Sequence, residues 1–286
     1  MQHPPQVQWH DFRQVDVFTA DALKGNPLAV VHGADGLDEA KMAAFARWTG
    51  LSETTFLLTP TNPAADYRVR IFTPTSELPF AGHPTLGTCH AWLEAGGKPR
   101  AEEVIQECKA GLIRIRRDGS RLAFAAPPQI RSDEVDADIL AQVAHSLRIA
   151  PETILRARWV DNGPGWLAVM LGSRAEVLAL KPDFVAMGRF KVGVVGAWNP
   201  AVDGTEASFE VRAFAPGFGV QEDPVTGSLN AGIAQWLLGT GIASGDYVAS
   251  QGAALQRAGR VHVTQAGQDI WIGGNSTSCI VGRVQL

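Results

Sequence analysis

Cysteine is scarce in this chain, with three in 286 residues, at positions 89, 108 and 279. They are odd in number, far apart and form no CxxC pair, so neither a disulfide framework nor a zinc site is indicated. Long apolar runs are missing as well. None approaches the ~18 residues that span a membrane, so no membrane partner is expected. The opening Met1-Gln2-His3-Pro4-Pro5 has neither the cationic start nor the apolar stretch of a signal peptide, which predicts a cytoplasmic protein. Basic residues form only short clusters, such as Arg114, Arg116 and Arg117, and the net charge is −4. A nucleic-acid partner would want a basic stripe, and none is expected. No G-x-G-x-x-G follows a strand and opens a helix, which leaves a dinucleotide site unsupported. Ser228 is followed by Leu229 and Asn230 and so is not the serine of a G-x-S-x-G hydrolase elbow. His83 and His90 are seven apart, two helical turns, and too distant to share a metal; the other histidines, His3, His10, His32, His145 and His262, are isolated.

What the chain does have is a repeat. Val69-Arg70-Ile71-Phe72-Thr73-Pro74 returns as Val211-Arg212-Ala213-Phe214-Ala215-Pro216, an offset of 142. His83-Pro84-Thr85-Leu86-Gly87 returns as Asp223-Pro224-Val225-Thr226-Gly227, an offset of 140. Leu28-Ala29-Val30 has an echo in Leu167-Ala168-Val169, an offset of 139. Half of 286 is 143, so the repeat spans the protein. It predicts two similar domains of about 140 residues, related by a pseudo-two-fold axis, with a shared cleft. Pro127-Pro128 after a strand stops helix and sheet alike, which puts the boundary there: domains 1–127 and 128–276.

Short Val-, Ile- and Phe-rich runs between turn formers predict strands over 14–18, 28–32, 54–59, 67–72, 104–107, 112–117 and 121–125. Asp118-Gly119 marks a hairpin between the last two. Helical spacing appears over 38–48, 84–95 and 137–148, with Trp48, Trp92 and Trp236 at core positions. In the second half, strands near 159, 167–171, 192–197 and 208–214 precede a helix from Pro224 to about 238, and four short strands follow. Strand-rich halves with a helix buried in each make an α+β protein.

Candidate chemistry gathers at the repeated loops. A helix N-terminus presents free N–H groups and binds carboxylates, and Gly82, Gly87 and Gly227 let a ligand approach the backbone. Asp223 before Pro224 reads equally as an ordinary N-cap with proline at the first helical position. His83 is a poor cap, which favours function there. Glu53 opens an apolar run; it is either a solvated carboxylate at a strand end or one poised at a cleft edge to move a proton, with its pKa raised by burial. Glu77 could bond a substrate, orient His83 or face water, and one of Glu222 and Asp223 should be solvated. The hydroxyl or N–H of Ser228 could bind an anion.

Asp16-Val17-Phe18-Thr19 with Gly25-Asn26-Pro27, Ser52-Glu53-Thr54-Thr55-Phe56, 77–87 and 222–228 together resemble the PhzF family of phenazine-biosynthesis-like isomerases. The resemblance runs from about residue 14 to the C-terminus. It implies the fold of diaminopimelate epimerase, in which each domain is a strongly curved sheet wrapped around a central helix and the active site lies between the two. It also implies a C-terminal strand, about 277–286, that crosses back to the first domain, no metal or organic cofactor, and a homodimer. By motif, Glu53 matches the family's catalytic acid/base. His83, Asp223 and Ser228 match residues lining the site, where Gly82, Pro84, Thr85 and Gly227 would help to bind substrate.

In the characterised phenazine enzyme trans-2,3-dihydro-3-hydroxyanthranilate is isomerised by proton transfer. The expectation is therefore a cofactor-free isomerase acting on a small carboxylate, with Glu53, His83 and Asp223 catalytic. Related epimerases and racemases carry a cysteine at each helix start. Here His83 and Asp223 stand in those places, so two-thiol racemisation is not expected. An amino-acid-like epimerase and a non-catalytic small-molecule binder are the alternatives.

Overall fold

The computed structural model describes residues 8–286, leaving aside the side chain of Phe218. The expectations at Met1–Pro5, including His3, lie outside those residues. The first half runs β1 (Trp9–Val17), β2 (Asn26–Val31), α1 (Glu39–Thr49), β3 (Glu53–Leu58), β4 (Tyr67–Phe72), β5 (Glu77–Leu78), α2 (Gly82–Glu94), β6 (Val104–Cys108), β7 (Gly111–Asp118) and β8 (Arg121–Ala125). The second half opens with α3 (Ala137–Leu147), β9 (Arg156–Trp159), β10 (Trp166–Leu171), α4 (Arg174–Ala179), α5 (Phe184–Met187), β11 (Lys191–Ala197) and α6 (Pro200–Asp203). It continues with β12 (Phe209–Ala215), β13 (Val220–Asp223), α7 (Gly227–Gly239), β14 (Tyr247–Gln251), β15 (Gly259–Ala266), β16 (Asp269–Gly274) and β17 (Ser276–Gln285).

The pairing repeats strand for strand. β1 pairs antiparallel with β2, β2 parallel with β3, β3 antiparallel with β4, β4 parallel with β6, and β6, β7 and β8 follow antiparallel. β9 to β16 retrace this pattern, with β9, β10, β11, β12, β14, β15 and β16 in the same order and the same directions. The short β5 and β13 each lie antiparallel beside β4 and β12. β8 pairs antiparallel with β16, so the two halves meet in one ladder. β17 returns to pair with β1 along its length, Trp9 opposite Gln285 and Val17 opposite Ser276. The α+β class read from the sequence is the one observed. Among the described residues no helix is long and apolar enough to cross a membrane.

α2 and α7 occupy the centres of the two halves. Almost every residue of α2 from Gly82 to Cys89 is buried, as are Leu229–Ala234 of α7. A helix apolar on all sides must be enclosed, and here the curved ladders do this. One continuous apolar core joins Leu86 and Cys89 of α2 to Leu229 and Ile233 of α7. The two helices touch at their first residues: a Cβ placed on Gly227 would lie 2.9 Å from the Cα of Gly82. Alanine in a helix ordinarily gains on glycine, but here it meets backbone. Gly227→Ala should therefore destabilise the fold by about 1–3 kcal/mol, read as a lower urea midpoint; an unchanged midpoint would show that the helix ends can part at no cost.

Several expectations need correction. α7 begins at Gly227, with Thr226 as its N-cap residue, and not at Pro224. Asp223 ends a strand instead of capping a helix. β5, β13 and the three short helices α4 to α6 gave no periodic signal at their lengths. Trp48 is exposed at the surface of α1, stacked on Phe45, and is not core. The third echo is one residue out. Ala29 pairs with Thr54 and Thr54 with Phe72, while Leu167 pairs with Val192 and Val192 with Phe214, so Leu167 matches Ala29, not Leu28.

Candidate active site

The loops that lead into α2 and α7 are built alike. Glu77-Leu78-Pro79-Phe80-Ala81-Gly82 and Glu222-Asp223-Pro224-Val225-Thr226-Gly227 share the pattern E-x-P-x-x-G at an offset of 145. Glu77 faces Phe72 across β4 and β5, as Glu222 faces Phe214 across β12 and β13. Arg70 donates to Glu77 at 2.8 and 2.9 Å, and Arg212 donates to Glu222 at 2.8 Å through two nitrogens. Neither glutamate is offered to a substrate, and Glu222 is not solvated: its side chain is 9% exposed. This register, and not the offset of 140, relates the two loops. The counterpart of His83 is therefore Ser228, and that of Asp223 is Leu78.

A cavity of about 840 Å³ opens where these loops meet, walled by both halves. Glu53, Leu78 and Phe80 contribute from the first, with Trp166, Lys191, Asp223 and Ser228 from the second. Pro84 and Thr85, expected to bind substrate, do not line it. Both are buried in the first turn of α2, where the Thr85 hydroxyl donates to Ala81 O at 2.9 Å and accepts from Gln106 at 3.0 Å. Gly82 and Gly227 face each other at the axis, and His83 lies behind Glu53.

Glu53 is the first residue of β3, which fixes it beside Leu28 of β2. Its Oε2 lies 3.5 Å from His83 Nε2, and among the described residues neither atom has a hydrogen-bond partner. His83 is 3% exposed, and burial holds its ring down to about 3, so it is neutral. Its Nδ1 faces the Asn26 amide nitrogen at 3.3 Å. A proton on Nδ1 would set donor against donor, so the ring carries it on Nε2, towards Glu53.

Asn26 ties the halves together. Its Nδ2 also donates to Asp223 Oδ1 and to Val225 O, both at 2.9 Å. The Gly25-Asn26-Pro27 turn is fixed by Asp16, whose carboxylate accepts from Gly25 N at 3.1 Å. Asp223 Oδ2 accepts from the Thr226 hydroxyl at 2.6 Å. Trp166 Nε1 donates to Ser228 Oγ at 3.0 Å.

The two carboxylates titrate as a pair. Burial, then the Asp223 charge, pushes Glu53 well above the carboxylate range. Burial also raises Asp223, but less, because Thr226 and Asn26 bond its ionised form. Asp223 therefore ionises first and Glu53 keeps the proton to higher pH. Replacing Asp223 with Asn removes the facing charge, and the Glu53 midpoint should move down while staying above an exposed glutamate, since burial remains the larger cause. An NMR titration of the Glu53 carboxyl carbon in Asp223→Asn checks this; a midpoint that does not fall would mean that the two groups are uncoupled.

Asn26 and Lys191 were not singled out as site residues by reading the sequence. Asn26 stood in the open as a turn former, and its full burial is what reveals its role. Lys191 shares no local likeness with Glu53. The E-x-P-x-x-G register of 145 aligns the two loops but not Glu53 with Lys191, which lie 138 apart. Among the described residues no group of three or more His, Cys, Asp or Glu side chains is placed to hold a metal ion.

Comparison with known proteins identifies the family. The family described as phenazine biosynthesis-like protein matches residues 15–282. The chain belongs to this PhzF-type family. It is 36% identical to antisense-enhancing sequence 1 of Schizosaccharomyces pombe, over 96% of this chain and 98% of that one. It is 35% identical to the trans-2,3-dihydro-3-hydroxyanthranilate isomerase of Pseudomonas aeruginosa, over 77% of this chain and 76% of the relative. A PhzF-family crystal structure from Enterococcus faecalis superposes with a TM-score of 0.82, covers 98% of this chain and 100% of its own, and shares 24% identity. Family and named relatives together place the PhzF-type chain among the isomerases.

Proposed function

We propose that this chain is a proton-transfer isomerase in which Glu53 takes a proton from an activated carbon of a small carboxylate-bearing substrate and returns it elsewhere on the same molecule. The observation that carries this is one buried carboxylate of raised pKa on the wall of a cavity between the halves, with a second carboxylate facing it. His83 is neutral and backs Glu53, so it orients the carboxyl group without adding charge. Asp223 keeps Glu53 basic enough to accept a proton. The N–H groups at the starts of α2 and α7 favour negative charge developing on the substrate.

Chemical asymmetry between the halves supports isomerisation over racemisation by two matched bases. Equivalent positions hold Glu53 and Lys191, Leu78 and Asp223, His83 and Ser228. In this reading the enzyme works without a metal or organic cofactor and as a homodimer, as the family resemblance implies, and in the cytoplasm, as the N-terminal sequence leads us to expect. NMR in D₂O with trans-2,3-dihydro-3-hydroxyanthranilate is the test. Deuterium gain with a shifted double bond supports the reading; a bound ligand with no deuterium gain points to a binder instead.

A further inference from the structure

A buried glutamine grips the start of each central helix. Gln106 of β6 donates to the Thr85 hydroxyl at 3.0 Å, and that hydroxyl donates to Ala81 O at 2.9 Å. Gln251 of β14 accepts from Asn230 Nδ2 at 2.8 Å, and the same nitrogen donates to Thr226 O at 2.9 Å. In the loop register of 145, Thr85 matches Asn230 and Ala81 matches Thr226. Holding the residue before the helix is therefore common to both halves and serves the fold. The Thr226 hydroxyl has no counterpart. It occurs in the half that carries Asp223, whereas the first half has Ala81 and Leu78 in those two places.

Hydrogen-bond polarity fixes what that hydroxyl does. Gln251 Oε1 accepts from Thr226 N at 3.0 Å, and Gln251 Nε2 donates to Asp223 O at 3.1 Å. A backbone N–H can only donate and a backbone carbonyl can only accept, so the amide has one orientation. Its Nε2 then also donates to Thr226 Oγ1 at 3.0 Å. With a donor already on its oxygen, the hydroxyl turns its own proton to Asp223 Oδ2, 2.6 Å away. Asn26 donates to Oδ1, so both oxygens of Asp223 face donors, which favours the ionised carboxylate. Asn26, Thr226, Asn230 and Gln251 are all buried, and a donor lost there is not easily replaced by water. The other ionisable groups act less directly: Glu222 is paired with Arg212, Lys191 acts on Glu53, and His83 is neutral.

We propose that Gln251 is a positioning residue of this site: by fixing the direction of the Thr226 hydroxyl it keeps Asp223 the first of the two carboxylates to ionise, and so leaves the transferable proton to Glu53. This rests on the acid/base reading above, but ionisation is measured without substrate, so the two can fail separately.

NMR titration of the Asp223 and Glu53 carboxyl carbons tests the relay in wild type, Thr226→Val, Thr226→Ser and Gln251→Met. Valine keeps the shape of threonine and removes the hydroxyl. In Thr226→Val the Asp223 midpoint should rise by about one pH unit or more, the worth of one hydrogen bond to a charged group, and Asp223 should begin to titrate together with Glu53. Thr226→Ser should restore the wild-type order. Gln251→Met should also raise the Asp223 midpoint, but should add little in the Thr226→Val background, where the hydroxyl it acts through is gone. Where Gln251→Met is poorly folded by circular dichroism, Gln251→Glu carries the comparison, since its added charge is common to both backgrounds. An Asp223 midpoint unmoved in folded Thr226→Val overturns the proposal. So does a Gln251 substitution that shifts Asp223 equally in both backgrounds, which would mean that the glutamine does not act through Thr226. Near-full turnover in Glu53→Gln would instead sink the acid/base reading and leave the order of ionisation standing.

Discussion

Glu53→Gln is expected to lower turnover by about 10²–10⁴, the usual worth of a positioned acid/base group, while leaving the fold intact. Glutamine keeps the shape and much of the hydrogen bonding of glutamate, and loses only the ability to carry the proton. The substitution should not harm stability. A buried Glu53 with a raised pKa binds its proton more tightly folded than unfolded, so its contribution is full in acid and falls away as pH rises through its raised midpoint. Near and above neutral pH a neutral amide relieves that cost. The pH profile supplies a second reading. Glu53 must be ionised to accept a proton, so the rate should climb with pH on a limb well above the ordinary carboxylate range. In Glu53→Gln any residual rate should lack this limb. Turnover of the Gln variant within a few-fold of wild type, at any pH, would remove Glu53 from the chemistry.

The fold was legible because the repeat left marks where packing is strict. Val69–Phe72 and Val211–Phe214 are central strands with buried faces, and a one-residue slip there would turn core residues outward. The site was legible in parts. Glu53, His83 and Asp223 stand out as polar residues next to apolar runs; His83 and Asp223 both meet Asn26, and Glu53 lies beside His83. The register between halves was misread because Pro84 and Pro224 look equivalent. They are not: Pro224 matches Pro79, before the helix, whereas Pro84 sits inside α2. Loop length decides this: four residues separate Phe72 from its partner Glu77, whereas seven separate Phe214 from its partner Glu222. Such insertions shift the offset from 142 to 145 within one unit. Lys191 is not legible by likeness, because the position equivalent to Glu53 carries the opposite charge.

The largest stability effect is expected at Arg212. Its side chain is 6% exposed and meets Glu222, 9% exposed, through two parallel hydrogen bonds of 2.8 Å. A further nitrogen donates to Val177 O at 3.1 Å and Leu180 O at 2.9 Å, where α4 ends. Arg212→Met leaves a buried carboxylate without its partner and two carbonyls without a donor. Breaking such a pair costs about 3–5 kcal/mol. Its counterpart Arg70, paired with Glu77 and with Glu39, is 27% exposed. Water can replace that partner, so Arg70→Met should cost about 1 kcal/mol or less. Urea denaturation of the two variants makes the comparison, with the same substitution in the same register of two related halves. Arg212→Met combined with Glu222→Leu should recover most of the loss, because an apolar pair of similar volume has no charge to strand. Equal losses at Arg70 and Arg212 would mean that burial does not set the cost. The consequence reaches the site through Glu222, which neighbours Asp223 on β13. A loosened Glu222 moves the carboxylate that keeps Glu53 basic, so Arg212→Met should also shift the Glu53 midpoint, and Arg70→Met should not.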